Sequence, residues 1–256
     1  MHIDVVGSGP DLVLIHGWAM HSAIFAPLTQ LLTEHFRLRL VDLPGHGRTH
    51  VATPGALDPT ICARAIAAQT PPAIWLGWSL GGLVALHAAL DHSSGVRGLI
   101  EIAASPKFVR SDNWPHAVDC AVFDEFAIGL GNNYRGTIER FLALETLGSP
   151  HAQSELRALK QQVFDRGEPD TAVLCEGLKI LETTDLRARL AELTVPNLWI
   201  GGRRDRLVPP AAMRWAAQHS PRGQWLEINS GHAPFVSDAP AVATAIREFA
   251  DALKST

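Results

Sequence analysis

Cysteine is scarce in this chain. Cys62, Cys120 and Cys175 are far apart, odd in number and never in a C-x-x-C pair. That excludes a disulfide framework and suits reduced thiols in a cytoplasm. The 12 histidines form no metal-ligand cluster by spacing. Positive charge is not in excess: the net charge is −4, and no run of Lys and Arg offsets it. A nucleic-acid binder is therefore not expected. No stretch approaches the roughly 20 apolar residues of a membrane span. Met1-His2-Ile3-Asp4 is acidic and has no basic segment leading into an apolar core, so no signal peptide is expected. Internal repeats and low-complexity tracts are missing as well.

What is present reads as a globular enzyme. The 256 residues are 46% apolar and 19% charged, enough for one α/β domain with a sizeable core and an insertion. Leu12-Val13-Leu14-Ile15 is an uninterrupted apolar run, as a parallel strand buried on both faces requires. Strands are also predicted at 36–41, 73–76, 99–103, 196–200 and 224–228, with helical stretches between them and an amphipathic helix over 241–253. Such alternation implies a mostly parallel sheet with helices on both faces. The rhythm stops between Pro106 and Leu193, where helices are predicted at 118–129, 136–146, 151–164 and 172–181 without a strand. The expected division is a core of residues 1–105 and 194–256, with a helical cap of residues 106–193 over the C-terminal sheet edge. Ligands of open α/β sheets bind at that edge. The stretch Thr53-Pro54-Gly55 reads as a surface loop.

Gly77-Trp78-Ser79-Leu80-Gly81 lies between the apolar run Ala73-Ile74-Trp75-Leu76 and a helical one, Leu83-Val84-Ala85-Leu86. This is the strand, sharp turn and helix context of a nucleophile elbow. The turn lifts the Ser79 hydroxyl out of the sheet and leaves the Leu80 amide at a helix N-terminus. A serine needs a base to take its proton, and the base needs an orienting acid. Asp205 follows the 196–200 strand, and His232 follows the last one. The order Ser79, Asp205, His232 is that of the α/β-hydrolases. His16-Gly17-Trp18 comes directly after the first apolar run, where the Trp18 amide can join that of Leu80 in an oxyanion hole.

Inert readings compete for each residue. Ser79 could be a turn serine, Asp205 a turn acid with Asp185 or Glu101 in its place, and His232 a satisfied surface histidine. His16 is read as structural, holding the oxyanion loop. Asp42 is read as bracing the turn of Val41-Asp42-Leu43-Pro44-Gly45, and His21 and His46 as solvated.

The segments Leu14-Ile15-His16-Gly17-Trp18, Gly77-Trp78-Ser79-Leu80-Gly81-Gly82, Glu139-Arg140-Phe141-Leu142-Ala143-Leu144 and His232-Ala233-Pro234-Phe235 carry a resemblance. The chain resembles the capped α/β-hydrolase family over its whole length, and within it the pimeloyl-[acyl-carrier protein] methyl ester esterases of biotin synthesis. The resemblance implies substrate contacts at Trp18, Ser79, Leu80, Phe141, Leu142, Ala143, Leu144, Glu145 and His232. That family usually has an amide side chain where this chain has Glu145. Its partner is an acidic acyl-carrier protein met by cap arginines. Arg140 and Arg157 match that pattern, Gly136 and Gln153 depart from it, and Arg135 and Lys160 are near enough to compensate.

The implied reaction is hydrolysis of a methyl ester by a serine triad, with no metal or organic cofactor. The same triad serves short-chain esterases, lactonases and C–C bond hydrolases, which are the alternatives within enzymes. A binding protein of the same fold without turnover is the alternative outside them.

Overall fold

The computed structural model describes residues 1–50 and 53–254. The chain opens with β1 (His2–Gly7), β2 (Asp11–Ile15), α1 (Ala26–Leu32), β3 (Arg37–Asp42), α2 (Pro59–Ala67), β4 (Ala73–Trp78), α3 (Leu80–Asp91) and β5 (Val96–Ile102). Four helices follow: α4 (Cys120–Asn132), α5 (Tyr134–Thr146), α6 (Ala152–Val163) and α7 (Thr171–Thr183). The chain then returns to the sheet with β6 (Asn197–Gly202), α8 (Pro210–His219), β7 (Gly223–Ile228), α9 (Pro234–Ser237) and α10 (Ala239–Lys254).

The seven strands are ordered β1-β3-β2-β4-β5-β6-β7. β1 runs antiparallel to β3 and the remaining pairs are parallel. The apolar runs of the sequence become the inner strands: β4 and β6 are buried at every position. Such burial on both faces is what removes alternation from their sequences. β1 was not expected. Its half-exposed residues carry no continuous apolar run, and an edge strand needs none.

Caps set the helix ends between β5 and β6. The Asp119 side chain accepts the Ala121 amide, so α4 begins two residues after the predicted start at 118. Asn133 accepts the Gly136 amide, so α5 begins two residues before its predicted start at 136. Phe126, Phe141, Leu142 and Leu174 from these helices join one continuous apolar cluster with the sheet. Among the described residues, no helix is long and apolar enough to cross a membrane.

Candidate active site

β4 ends in Trp78, and α3 begins at Leu80, so one residue makes the whole turn. That residue is Ser79, with φ 55° and ψ −120°. Left-handed φ is costly for a side chain with a Cβ and persists where the surroundings enforce it. The enforcement is close packing. A Cβ on Gly81 would run into the carbonyls of Ile15 and His16, and one on Gly77 into the backbone of Gly81 and Gly82. Glycine at both positions lets β2 and α3 crowd the turn.

The Ser79 hydroxyl donates to His232 Nε2 at 3.0 Å, and His232 Nδ1 donates to Asp205 Oδ2 at 2.8 Å. The other carboxylate oxygen, Asp205 Oδ1, accepts the amides of Leu207 (2.8 Å) and Val208 (2.9 Å). The acid is thus held by its own loop and by the imidazole. Asp185 and Glu101 are placed elsewhere: Asp185 pairs with Lys107 and Arg187, and Glu101 is buried on β5 against α3. Burial holds the Glu101 carboxyl well above the usual carboxylate range.

The main chain of His232 is clamped from both sides. Its carbonyl accepts the Trp78 indole N–H at 2.9 Å, and its amide donates to the Glu145 carbonyl at 2.9 Å. Trp78 belongs to the elbow and Glu145 to the last turn of α5. The Glu145 side chain is also buried, and its Oε2 has no partner among the described residues. Burial and then the charge of Asp205 hold its carboxyl well above the ordinary range.

Opposite the serine runs the His16–Trp18 loop. A Cβ on Gly17 would lie 3.1 Å from that of Ser79, so this backbone passes directly beside the nucleophile. Leu80 is the first residue of α3, and its amide has no intrahelical partner. His16 braces the loop. Its Nε2 accepts the Leu43 amide at 3.0 Å, which leaves Nδ1–H to donate to the Gly17 carbonyl at 2.8 Å. Burial, then the neighbouring His46, pushes the His16 ring down to about 3. It is a neutral fastener, as the sequence suggested. Asp42 holds the next turn, accepting the amides of Ser22 (2.7 Å) and Arg48 (2.9 Å).

A family model described as "Alpha/beta hydrolase family" matches residues 12–245. The chain belongs to the alpha/beta hydrolase family. A pimeloyl-[acyl-carrier protein] methyl ester esterase of Stenotrophomonas maltophilia is 55% identical to this hydrolase over 99% of its chain and 97% of the relative. Another of that name, from Xanthomonas axonopodis, is 56% identical over 97% and 98%. Among solved structures, an esterase from Exiguobacterium antarcticum superposes with a TM-score of 0.88 at 22% identity, covering 97% of this chain and 94% of that one. An enol-lactonase from Burkholderia xenovorans gives 0.84 at 18%, covering 98% and 96%. These two share the fold.

The five consecutive α5 residues expected at the substrate do not share a face of this hydrolase. Phe141, Leu142 and Glu145 are buried, Leu144 is half-buried, and Ala143 lies on the exposed side. Phe141 meets Trp18 edge-on with ring centroids 4.7 Å apart, and Phe126 joins the cluster. The Trp18 indole N–H donates to the Leu174 carbonyl at 2.8 Å, so its side chain is anchored in the helices, while the preceding Gly17 lies beside Ser79. Of the cations expected to dock a partner, Arg135 pairs with Glu168 and Lys160 with Glu139. Arg140 and Arg157 are exposed and form no ion pair among the described residues. Arg140 lies over the Phe126 ring at 5.8 Å.

His21 and His46 are not solvated. They are 3% and 1% exposed. His21 Nε2 donates to the Gln162 carbonyl of α6 at 2.8 Å, and the helices that cover it are far away in sequence. Burial lowers the pKa of His21 and holds His46 down at about 4. The clamp by Trp78 was also missed. Its one sequence signal is the position next to Ser79.

Proposed function

We propose that this hydrolase is a serine carboxylesterase that converts the methyl ester of pimeloyl-[acyl-carrier protein] to pimeloyl-[acyl-carrier protein] and methanol, in the cytoplasm, as a step of biotin synthesis. The observation that carries the chemistry is the hydrogen-bonded chain Ser79–His232–Asp205 on a strained elbow. The substrate is inferred from relatives of that name at 55% identity over nearly the whole chain.

In this reading Ser79 attacks the ester carbonyl while His232 Nε2 takes its proton. Asp205 holds the imidazole in the tautomer whose Nε2 accepts, and stabilises its charged form. The oxyanion is met by the Trp18 and Leu80 amides; one such donor is worth about 3 kcal/mol. Methanol leaves with the proton from His232. Water then adds to the acyl-enzyme with His232 again as base. Neither a metal nor an organic cofactor enters these steps. The helices of residues 106–193 act as a cap, and its Phe126 and Phe141, with Trp18 from the loop after β2, flank the acyl chain. Leu142, Leu144 and Glu145 are the further substrate contacts of this reading, and Ala143, on the exposed side of α5, is not one. A distal ester is cut in preference to the thioester because binding places that carbonyl, and not the thioester, at Ser79. The carrier docks on Arg140 and Arg157, with Arg135 and Lys160 available after exchange from their acids.

Mass spectrometry of methyl-pimeloyl carrier protein incubated with the purified enzyme tests this directly, alongside growth of a biotin auxotroph lacking the esterase. Loss of one methyl group from the carrier-borne chain, together with rescue of growth, is expected. Rapid turnover of p-nitrophenyl esters or lactones with an untouched carrier-borne ester would overturn the substrate assignment and leave the serine chemistry standing.

A further inference from the structure

Three arginines surround Asp205: Arg203, Arg204 and Arg206 fill three of the first four positions of the seven-residue loop between β6 and α8. Asp205 turns inward to His232, and all three arginines are exposed. None has an acidic partner among the described residues. Arg203 Nη2 donates to Asn229 Oδ1 at 2.8 Å, and Arg204 Nη1 to the Gly148 carbonyl at 3.0 Å. Arg206 makes no hydrogen bond or ion pair among the described residues. Like charges this close repel one another, and a soluble surface ordinarily intersperses acids among them.

The cluster is not isolated from the helices over the site. A Cβ on Gly148 would lie 2.7 Å from that of Arg204, so the loop abuts the connection between α5 and α6. Immediately beyond Gly148, residues 149–154 and Arg157 frame an open concavity of about 460 Å³. Leu147, 49% exposed, follows the Glu145 turn that holds His232. Arg204 and Arg157 therefore both border the α5–α6 connection, just beyond the turn that holds His232.

The helices themselves are poorly suited to an acidic partner. Residues 106–193 hold 10 basic and 14 acidic side chains. Of the basic ones, Lys107, Arg135, Lys160, Arg166, Lys179, Arg187 and Arg189 are already paired with acids. An acidic partner approaching there meets net repulsion, except toward Arg110, Arg140 and Arg157, which form no ion pair among the described residues. Arg203, Arg204 and Arg206, which no acid neutralises, lie on the core.

We propose that Arg203, Arg204 and Arg206, with Arg157 across the Gly148 contact, form a docking surface for the acidic face of the protein that carries the acyl chain. The proposal rests on the carrier-borne substrate inferred above. Electrostatic complementarity of this kind acts mainly on encounter and is screened by salt. The occupant is the carboxylate-rich protein surface, not the phosphate of the prosthetic arm.

The test compares Arg203→Glu/Arg206→Glu with the wild type by kcat/KM on methyl-pimeloyl carrier protein and on p-nitrophenyl butyrate. Arg204 is kept because it contacts Gly148. The ratio of the two values is expected to fall tenfold or more at low ionic strength and to recover as salt is added. Dividing by the small-ester value removes any disturbance of the neighbouring Asp205. Should the double reversal fold poorly, Arg203→Gln/Arg206→Gln carries the same test, with an expected fall of about threefold. Apo-carrier protein, which lacks the prosthetic arm, is expected to inhibit the wild type more strongly than the variant. An unchanged ratio in both variants overturns the docking surface. So does inhibition that loses its dependence on these arginines when the arm is missing, because the phosphate is then what they read. Failure of the substrate assignment has a different signature, since the wild type itself then leaves the carrier-borne ester intact.

Discussion

At the Ser79 edge of the sheet, His16, Asp42, Asp205 and His232 are each buried and held by two or more directed bonds. On the helices above it, Arg135, Lys160 and Lys179 meet single acids on exposed surface. Buried polar groups bonded on both sides have one arrangement, and losing a partner is costly. Exposed ion pairs are worth about 0–1 kcal/mol each and exchange readily. The edge therefore fixes a reaction, while the surface of the helices can change its partner at little cost to the fold. Substitutions at the two places should differ in size and in kind.

The largest effect is expected from Ser79→Ala, which removes the nucleophile and lowers kcat by about 10⁶ where such triads have been dissected. Retention of more than about a tenth of the activity on p-nitrophenyl butyrate would end the assignment of Ser79. Asp205→Asn follows at about 10⁴, because the amide favours the wrong imidazole tautomer. Asp185→Asn, at an exposed pair on the helical side, is the matched comparison and is expected to stay close to wild type. A reversal of these two would place the orienting acid elsewhere.

Phe141→Ala is expected to lower kcat/KM for carrier-borne and small esters alike, since it removes the edge-on contact with Trp18. Urea denaturation against pH sharpens the contrast further. His16 and His46 are held at about 3 and about 4, below their unfolded value of 6.5. The stability they contribute is complete above pH 6.5 and is lost as pH falls toward those values. Glu101 and Glu145 are raised above 4.5, so their contribution is complete below pH 4.5 and is lost as pH rises. The two pairs oppose each other between pH 4.5 and 6.5. Glu145→Gln removes one of the acids, so its stability should gain on that of the wild type as pH rises above 4.5. Equal pH slopes for variant and wild type would mean that Glu145 is ionised in the folded protein.

The smallest effect is expected from Arg140→Glu with Arg157→Glu. KM for the carrier-borne ester should rise severalfold, and the rise should fade with salt. Equal losses on p-nitrophenyl butyrate would mean that these arginines hold the helices together.

Legibility followed the same division. The inner strands were visible because burial on both faces writes apolar runs; Ser79 and Asp205 lie just past such runs, and His232 past the alternating segment of the edge strand β7. β1 was hidden by its position at an edge. His21 was misread because the group that buries it, the Gln162 carbonyl, is 141 residues away. The arginines around Asp205 escaped notice because the acid divides them, and a count of charge does not show which cations remain unpaired. Trp78 was read as a marker of resemblance, since nothing in the sequence says that its indole reaches His232.

That indole has a consequence for anyone who exchanges the helical segment between relatives to alter what is hydrolysed. The amide of His232 is satisfied by the Glu145 carbonyl, an atom that every residue type supplies, so no alignment marks it for retention. A graft that unwinds or shifts the last turn of α5 leaves the Trp78 side of the clamp intact and the other side empty. The buried amide then costs about 1–3 kcal/mol. The chimera would fold, bind its new ligand and turn over slowly, with every catalytic side chain present. Splice points placed after Gly148 avoid that outcome.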